Sequence, residues 1–231
     1  MKHLFVLLFF CFGFSHLGFT QSKEEVKYLG YLSDEGLNIW LDSIWKAEQL
    51  PIRKRDSIGR VHGFESEEFN RQDKIYHQNH DINEKKIREL LDTHGWPDIS
   101  VIGSRGNITI CNVIQHSEND VRIMYLPMMR EAVASKNLDP ALLARAEDRI
   151  ATERGDLQIY GTQIKYYPET QSLNLWPIKD PENLEKRRAE IGLEPIAAFL
   201  QRKRVPVEWN VEEQIERTRE FEANKKQKPV K

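Results

Sequence analysis

Polar side chains at positions that a helical pattern reserves for the core are where this sequence can do chemistry. Steps of three and four from Phe69 run through Asp73, Tyr76, His80, Asn83, Ile87 and Leu90. The lower half of that seam is apolar, yet Asp73, His80 and Asn83 stand in its middle. Burying each without a partner costs about 1 to 3 kcal/mol, so they must bond one another, a neighbouring element, or a ligand and water. A satisfied internal network and the wall of a pocket both meet that demand. Gln115 and His116 end the apolar run Ile108 to Ile114. A histidine there either bonds backbone at a helix end or, with its near-neutral pKa, serves as the general base of a site.

Asp148 and Arg149 border the core face made by Leu143, Ala146 and Ile150. They read as an ion pair to a neighbouring element, or as a second carboxylate and a charge clamp beside His116. From Gln158 to Gln163, a glycine inside a strand calls for a bulge or the close approach of another group. Alternation then sets Tyr160 with Thr162 on one face and Gln163 beside the bare Gly161 on the other. Arg187 and Arg188 offer two guanidinium groups for a carboxylate or phosphate, or for an ion pair that ties a helix down. His77 and His80 have no third ligand indicated, so neither a metal site nor a cofactor is expected.

The elements that must position these groups are mainly helical. Ser33-Asp34-Glu35 starts a helix whose apolar stripe, Leu37, Trp40, Leu41, Ile44 and Trp45, runs to Leu50-Pro51. Ser66-Glu67-Glu68 opens a second, long helix that ends at Gly95, and Gly103 and Gly106 mark a loop after Pro97. The segment through His116 suits a strand by its β-branched residues and a short helix by its length. Asp120 opens the next helix, with Val121, Met124, Tyr125, Met128, Ala132 and Val133 on one face and Pro127 dividing or kinking it. Asp139-Pro140 caps another, which ends at Gly155. Leu157 to Tyr167 and Ser172 to Trp176 then read as a hairpin about Pro168-Glu169-Thr170-Gln171. Asp180-Pro181 repeats the cap for a helix running to Gly192, and a last core helix covers Glu194 to about Lys203. The fold class is α+β, mainly α: a single domain of about five to seven helices with one short β-hairpin. Beyond Pro206 the charged arm, residues 205 to 231, reads as a solvated helix and frayed tail.

Composition bounds the rest. The 231 residues carry 34 Lys+Arg against 36 Asp+Glu, a net charge of −2, which gives no field favouring nucleic acid. With 39% hydrophobic residues, the chain has too many large apolar groups for disorder. Met1 to Thr20 has the charged, apolar, small-residue order of a secretory signal and holds six of the ten phenylalanines. Cleavage after Thr20 is expected, with export to the periplasm or beyond and no membrane span afterwards, since His16 and two glycines interrupt the apolar run. Residues 21 to 64 then form an N-terminal helical region. With Cys11 removed, Cys111 is the only thiol, so no internal disulfide is possible, and its apolar neighbours give it a packing role.

In order, Gly95-Trp96-Pro97, Gln115-His116, Asp148-Arg149, Tyr160-Gly161-Thr162-Gln163 and Arg187-Arg188 with Gly192-Leu193 resemble an uncharacterised bacterial family catalogued only as a domain of unknown function. The resemblance spans about residues 70 to 200 and marks residues 65 to 204 as the core domain. Asn83 also matches a family position, as does Glu48-Gln49 with Arg53, although the family has an aspartate where Glu48 stands and Pro51 interrupts the turn here. Polar types at these positions imply a shared pocket rather than a shared core. They name no chemistry, and members include exported and cytoplasmic proteins.

Two functions fit. One is an exported hydrolase acting on a polar envelope substrate, with His116 as base, Asp148 as its orienter or a second carboxylate, Asn83 and Gln163 holding a carbonyl or oxyanion, and Arg149 or Arg188 as clamp. With no Gly-x-Ser-x-Gly elbow, water would attack. The other is a non-catalytic polar-ligand or protein-binding module of the cell envelope, in which Asn83, Gln115, Arg149, Tyr160, Gln163, Arg187 and Arg188 only hydrogen-bond. The enzyme reading asks that His116, Asp148 and Gln163 line one cavity.

Overall fold

A computed structural model describes residues 33–227; the leader through Thr20 lies outside the described residues. Ser33 accepts the Gly36 amide and starts α1 (Asp34–His62), which passes through Pro51 and ends where Gly63 turns at φ 92°. Pro51 does not stop the helix because its cost is met elsewhere. It has no N–H to give the Ala47 carbonyl, and Asn79 of α2 (Glu67–His94) donates there instead at 3.3 Å. Arg55 meets Asp73 while Glu48 meets His80, so partner numbers fall as α1 numbers rise. The two long helices therefore lie antiparallel.

Gly95 turns the chain at φ 72°, and Asp98 caps α3 (Ile99–His116) by accepting the Ser100 amide at 2.8 Å. The expected loop at Gly103 and Gly106 is helical. Gly103 supplies a kink at φ 58°, and Gly106 lets α3 approach α1, since a Cβ there would stand 3.1 Å from Leu41 Cδ1. The ambiguous segment before His116 is helix. α4 (Asn119–Ala134) keeps Pro127 within it and buries Val121, Tyr125 and Ala132 as expected, with Met129 in the core and Met124 exposed instead of packed. Asp139 caps α5 (Pro140–Glu153) through the Ala141 amide. Together α1 to α5 enclose one apolar core, in which Leu41, Ile44, Ile87, Ile110, Ile114 and Met129 are almost wholly buried. Cys111 lies in this core, as its neighbours predict.

A second, smaller core of Leu175, Ile178, Leu184, Ile196, Phe199, Leu200 and Val205 lies beyond it. β1 (Ile164–Tyr167) and β2 (Ser172–Leu175) pair antiparallel, Ile164 opposite Leu175 and Tyr167 opposite Ser172. Residues 157–163, expected as strand, are an irregular loop before β1. A 3-10 turn (Pro181–Asn183) leads into α6 (Leu184–Glu190), followed by α7 (Ile196–Lys203) and α8 (Val211–Gln227). The arm's helix is solvated over most of its surface, as expected, and docks along one face. There α8 buries Gln214, donates from Arg217 to the Leu175 carbonyl and from Thr218 to the Ile178 carbonyl, and sets Phe221 edge-on to Trp176 at 5.4 Å. No helix among the described residues is long and apolar enough to cross a membrane.

Candidate functional site

The stripe Leu41, Ile44 that buries α1 continues to Glu48, so helical periodicity carries a carboxylate inside. Glu48 is 1% exposed. Its Oε1 accepts Asn83 Nδ2 at 2.9 Å, and His80 Nδ1 lies 3.2 and 3.3 Å from its two oxygens. His116 Nδ1 stands 3.9 Å from Oε2, an ion-pair distance rather than a direct hydrogen bond. Burial alone would raise this carboxyl, but His116, His80 and Asn83 outweigh it and hold it down at about 2. For His80 burial works against the charge, and the Glu48 hydrogen bond and charge overcome it, so its pKa is raised. Three helices thus meet around one buried anion.

The two histidines differ in access. His80 is buried, and its Nε2 finds no hydrogen-bond partner among the described residues. The His116 side chain, at the last residue of α3, is 30% exposed. Tyr76 stacks on His80 at 6.0 Å and stands edge-on to His116 at 6.4 Å, and the two imidazoles are 6.3 Å apart. Burial, followed by the Glu48 charge, pushes the Tyr76 phenol up to about 12, so it stays protonated. Arg55 lies over the Tyr76 ring at 5.2 Å and is fixed by Asp73 at 2.9 Å.

The Gln115 carbonyl draws two guanidinium groups to the same place. Arg122 Nη1 of α4 and Arg149 Nη1 of α5 each donate to it at 3.0 Å. Arg122 is further held by the Ser117 carbonyl and by Glu153. Burial and the Arg122 charge lower the Arg149 pKa, with Glu153 and Tyr76 acting the other way.

The remaining residues of the sequence reading form a different assembly. Asp148, fully buried, accepts the Ile159 amide at 2.7 Å, the Tyr160 amide at 2.9 Å, and the Thr162 amide and hydroxyl at 2.9 Å each. Its carboxylate shapes the loop, and the carboxylate beside His116 is Glu48. Gln163 donates to the Thr162 hydroxyl. Arg188 donates to the Glu194 carbonyl at 2.8 Å and the Tyr160 carbonyl at 2.5 Å, and Arg187 holds the Ile159, Lys179 and Asp180 carbonyls. Both arginines bind this chain's own backbone, and Arg188 keeps one buried donor, Nη2, without a partner among the described residues. Gly161 sits in this loop at φ 68°, with Ile196 Cδ1 3.2 Å from where its Cβ would be.

His80, Asn83 and His116 therefore gather around Glu48, with Arg149 held on the Gln115 carbonyl next to His116, while Asp148, Tyr160, Gln163, Arg187 and Arg188 build the loop before β1, so Asp148 and Gln163 do not join His116 as the enzyme reading asks. Tyr76 and His80 lie on the polar seam of α2 and Glu48 on a family position, and the structure adds that all three meet His116. Glu48 falls one turn on from Ile44 and before Pro51, so the α1 register places it inside, whereas spacing does not show that the α2 seam faces it. Among the described residues no group of three or more His, Cys, Asp or Glu side chains could hold a metal ion. A groove of about 700 Å³ by Leu200, Val205, Val207 and Trp209 has Glu208 as its one charged lining residue and offers no such chemistry.

No curated protein and no solved structure matches the chain. A family model matches residues 64–205, with Glu48 and Arg55 outside the matched stretch, and the chain belongs to that family of unknown function, DUF6624.

Proposed function

We propose that the protein is a hydrolase whose general base is His116, positioned by Glu48. The observation that carries this is a buried carboxylate facing two imidazoles, of which only His116 reaches solvent. With Nδ1 turned toward Glu48, the Nε2 edge of His116 is left for a reacting water. His116 takes a proton from that water as its oxygen attacks an acyl or phosphoryl centre. It returns the proton to the leaving group, and the Glu48 charge stabilises the intervening imidazolium. Burial pushes the Cys111 thiol well above its ordinary value, so it does not supply a thiolate, which favours water as the nucleophile. Asn83 and His80 act as positioning residues through Glu48.

Export rests on the composition of Met1 to Thr20, and it makes a polar component of the cell envelope the natural substrate. N-terminal sequencing of the protein from an expressing bacterium's extracytoplasmic fraction should begin at Gln21. An intact Met1 there argues against processing. For the chemistry, turnover is followed on 4-methylumbelliferyl esters and phosphates and on acylated amino-acid amides. His116→Asn should lower kcat about 100-fold or more with little change in KM, while the exposed His77→Asn leaves it unaltered. Unchanged kcat in His116→Asn, or no wild-type turnover across the panel, overturns the reading in favour of a binding module.

A further inference from the structure

Three carboxylates on the helices that meet at His116 each have a cation of their own. Glu48 faces His80, Glu153 is paired with Arg122, and Asp73 with Arg55. Arg149 is left over. It makes no ion pair among the described residues, and its one hydrogen bond goes to a carbonyl it shares with another guanidinium. A guanidinium has five N–H donors in a planar fork. One of them is engaged here, on a half-buried side chain where like charge and desolvation both work against it. Such an arrangement is costly unless something outside the chain balances it. The Tyr76 hydroxyl is a second donor with no partner among the described residues, and it feels the charges of Arg149 and Arg55. Its ring stands against His116, and Arg149 is anchored on the residue before His116.

We propose that Arg149 and the Tyr76 hydroxyl form an oxyanion subsite beside His116 that takes a phosphate or carboxylate group of the substrate. A planar fork accepts either group through two parallel hydrogen bonds, and the phenol adds a third. The substrate is then an anionic molecule cleaved at a bond next to its charged group. This substrate assignment rests on His116 being the reacting base, but the binding itself does not need turnover.

The test is an NMR titration of the full chain from Gln21, following the Gln115, His116 and Arg149 signals. Inorganic phosphate and acetate are added separately, with sodium chloride at matched ionic strength as the reference. Saturable shifts with a millimolar Kd are expected from at least one of the two anions. Phosphate alone points to a phosphoryl group, and acetate alone to a carboxylate. Arg149→Met should weaken binding at least tenfold, and Tyr76→Phe severalfold. Arg149→Lys, which keeps the charge and loses the fork, should weaken it severalfold and covers the case in which the methionine variant misfolds. Arg219→Met on the exposed face of α8 should bind like wild type. Shifts no larger than those from chloride, or wild-type affinity in both Arg149→Lys and Tyr76→Phe, overturn the subsite. Saturable binding in a protein without turnover would keep the subsite and discard the hydrolase. Turnover that depends on His116 but ignores both anions would do the reverse.

Discussion

At the scale of single residues, the site is a matter of which charge wins inside a poorly solvated space. Glu48 is held at about 2, below its ordinary 4.5, so its contribution to stability is complete above pH 4.5 and fades as the pH falls toward 2. His80 is raised above its ordinary 6.5, so its contribution is complete below pH 6.5 and is lost as the pH climbs through the raised value. Both are present together between about pH 4.5 and 6.5. Melting temperature measured from pH 3 to pH 9 should be highest in that window. In His80→Gln the fall on the alkaline side should flatten, with an overall loss of about 2 kcal/mol at pH 6 from the broken buried contact. A wild-type plateau extending to pH 9 would contradict the Glu48–His80 pairing. Spacing along α2 was enough to place His80 and Asn83 on a buried face, because burial follows from periodicity. Spacing does not say what stands opposite that face. Asp148 and Arg149 are adjacent in sequence yet turn to different partners, the first to the loop at 159–162 and the second to Gln115.

At the scale of elements, one proline governs how α1 was read and how it is built. Pro51 reads as a helix stop because it removes an N–H and crowds the preceding turn. The helix continues because the Ala47 carbonyl is supplied from α2 by Asn79. Only a contact between helices reveals that exchange, so sequence alone ended α1 some eleven residues short of His62. Asn79→Ala should cost about 1 kcal/mol in the wild-type chain and close to nothing in Pro51→Ala, where residue 51 regains its own N–H for Ala47. A double-mutant cycle on urea denaturation measures the coupling, and equal losses in both backgrounds would dismiss it. Gly103 and Gly106 misled in the same way. Glycine signals a loop when its backbone freedom is needed, whereas Gly106 is needed for the close contact of α3 with Leu41, and Gly103 bends the helix without ending it.

At the scale of the whole molecule, two apolar cores divide the labour. The larger one, from α1 to α5, holds Glu48 and His116 in place, and the smaller one supports the hairpin, α6 and α7. α5 touches both, since Arg149 reaches the site and Asp148 organises the loop leading to β1. α8 belongs to the hairpin side, as its bonds to the Leu175 and Ile178 carbonyls and its Phe221 contact with Trp176 show. Ending the chain after Val205 removes those three contacts, together with the Lys225 bond to the Gly155 carbonyl. Losing about 2 kcal/mol in a chain of this size lowers the melting temperature by roughly 4 to 8 °C. Amide exchange should quicken from Gln163 to Ile178, where carbonyls lose donors and Trp176 loses its cover. Amides of α2 and α3 around His80 and Ile114 should keep their protection, because their packing lies within the larger core. Exchange that quickens equally in both places would mean that Asp148 and Arg149 bind the two cores into one cooperative unit, and then the Glu48–His116 cluster would depend on the hairpin for its rigidity.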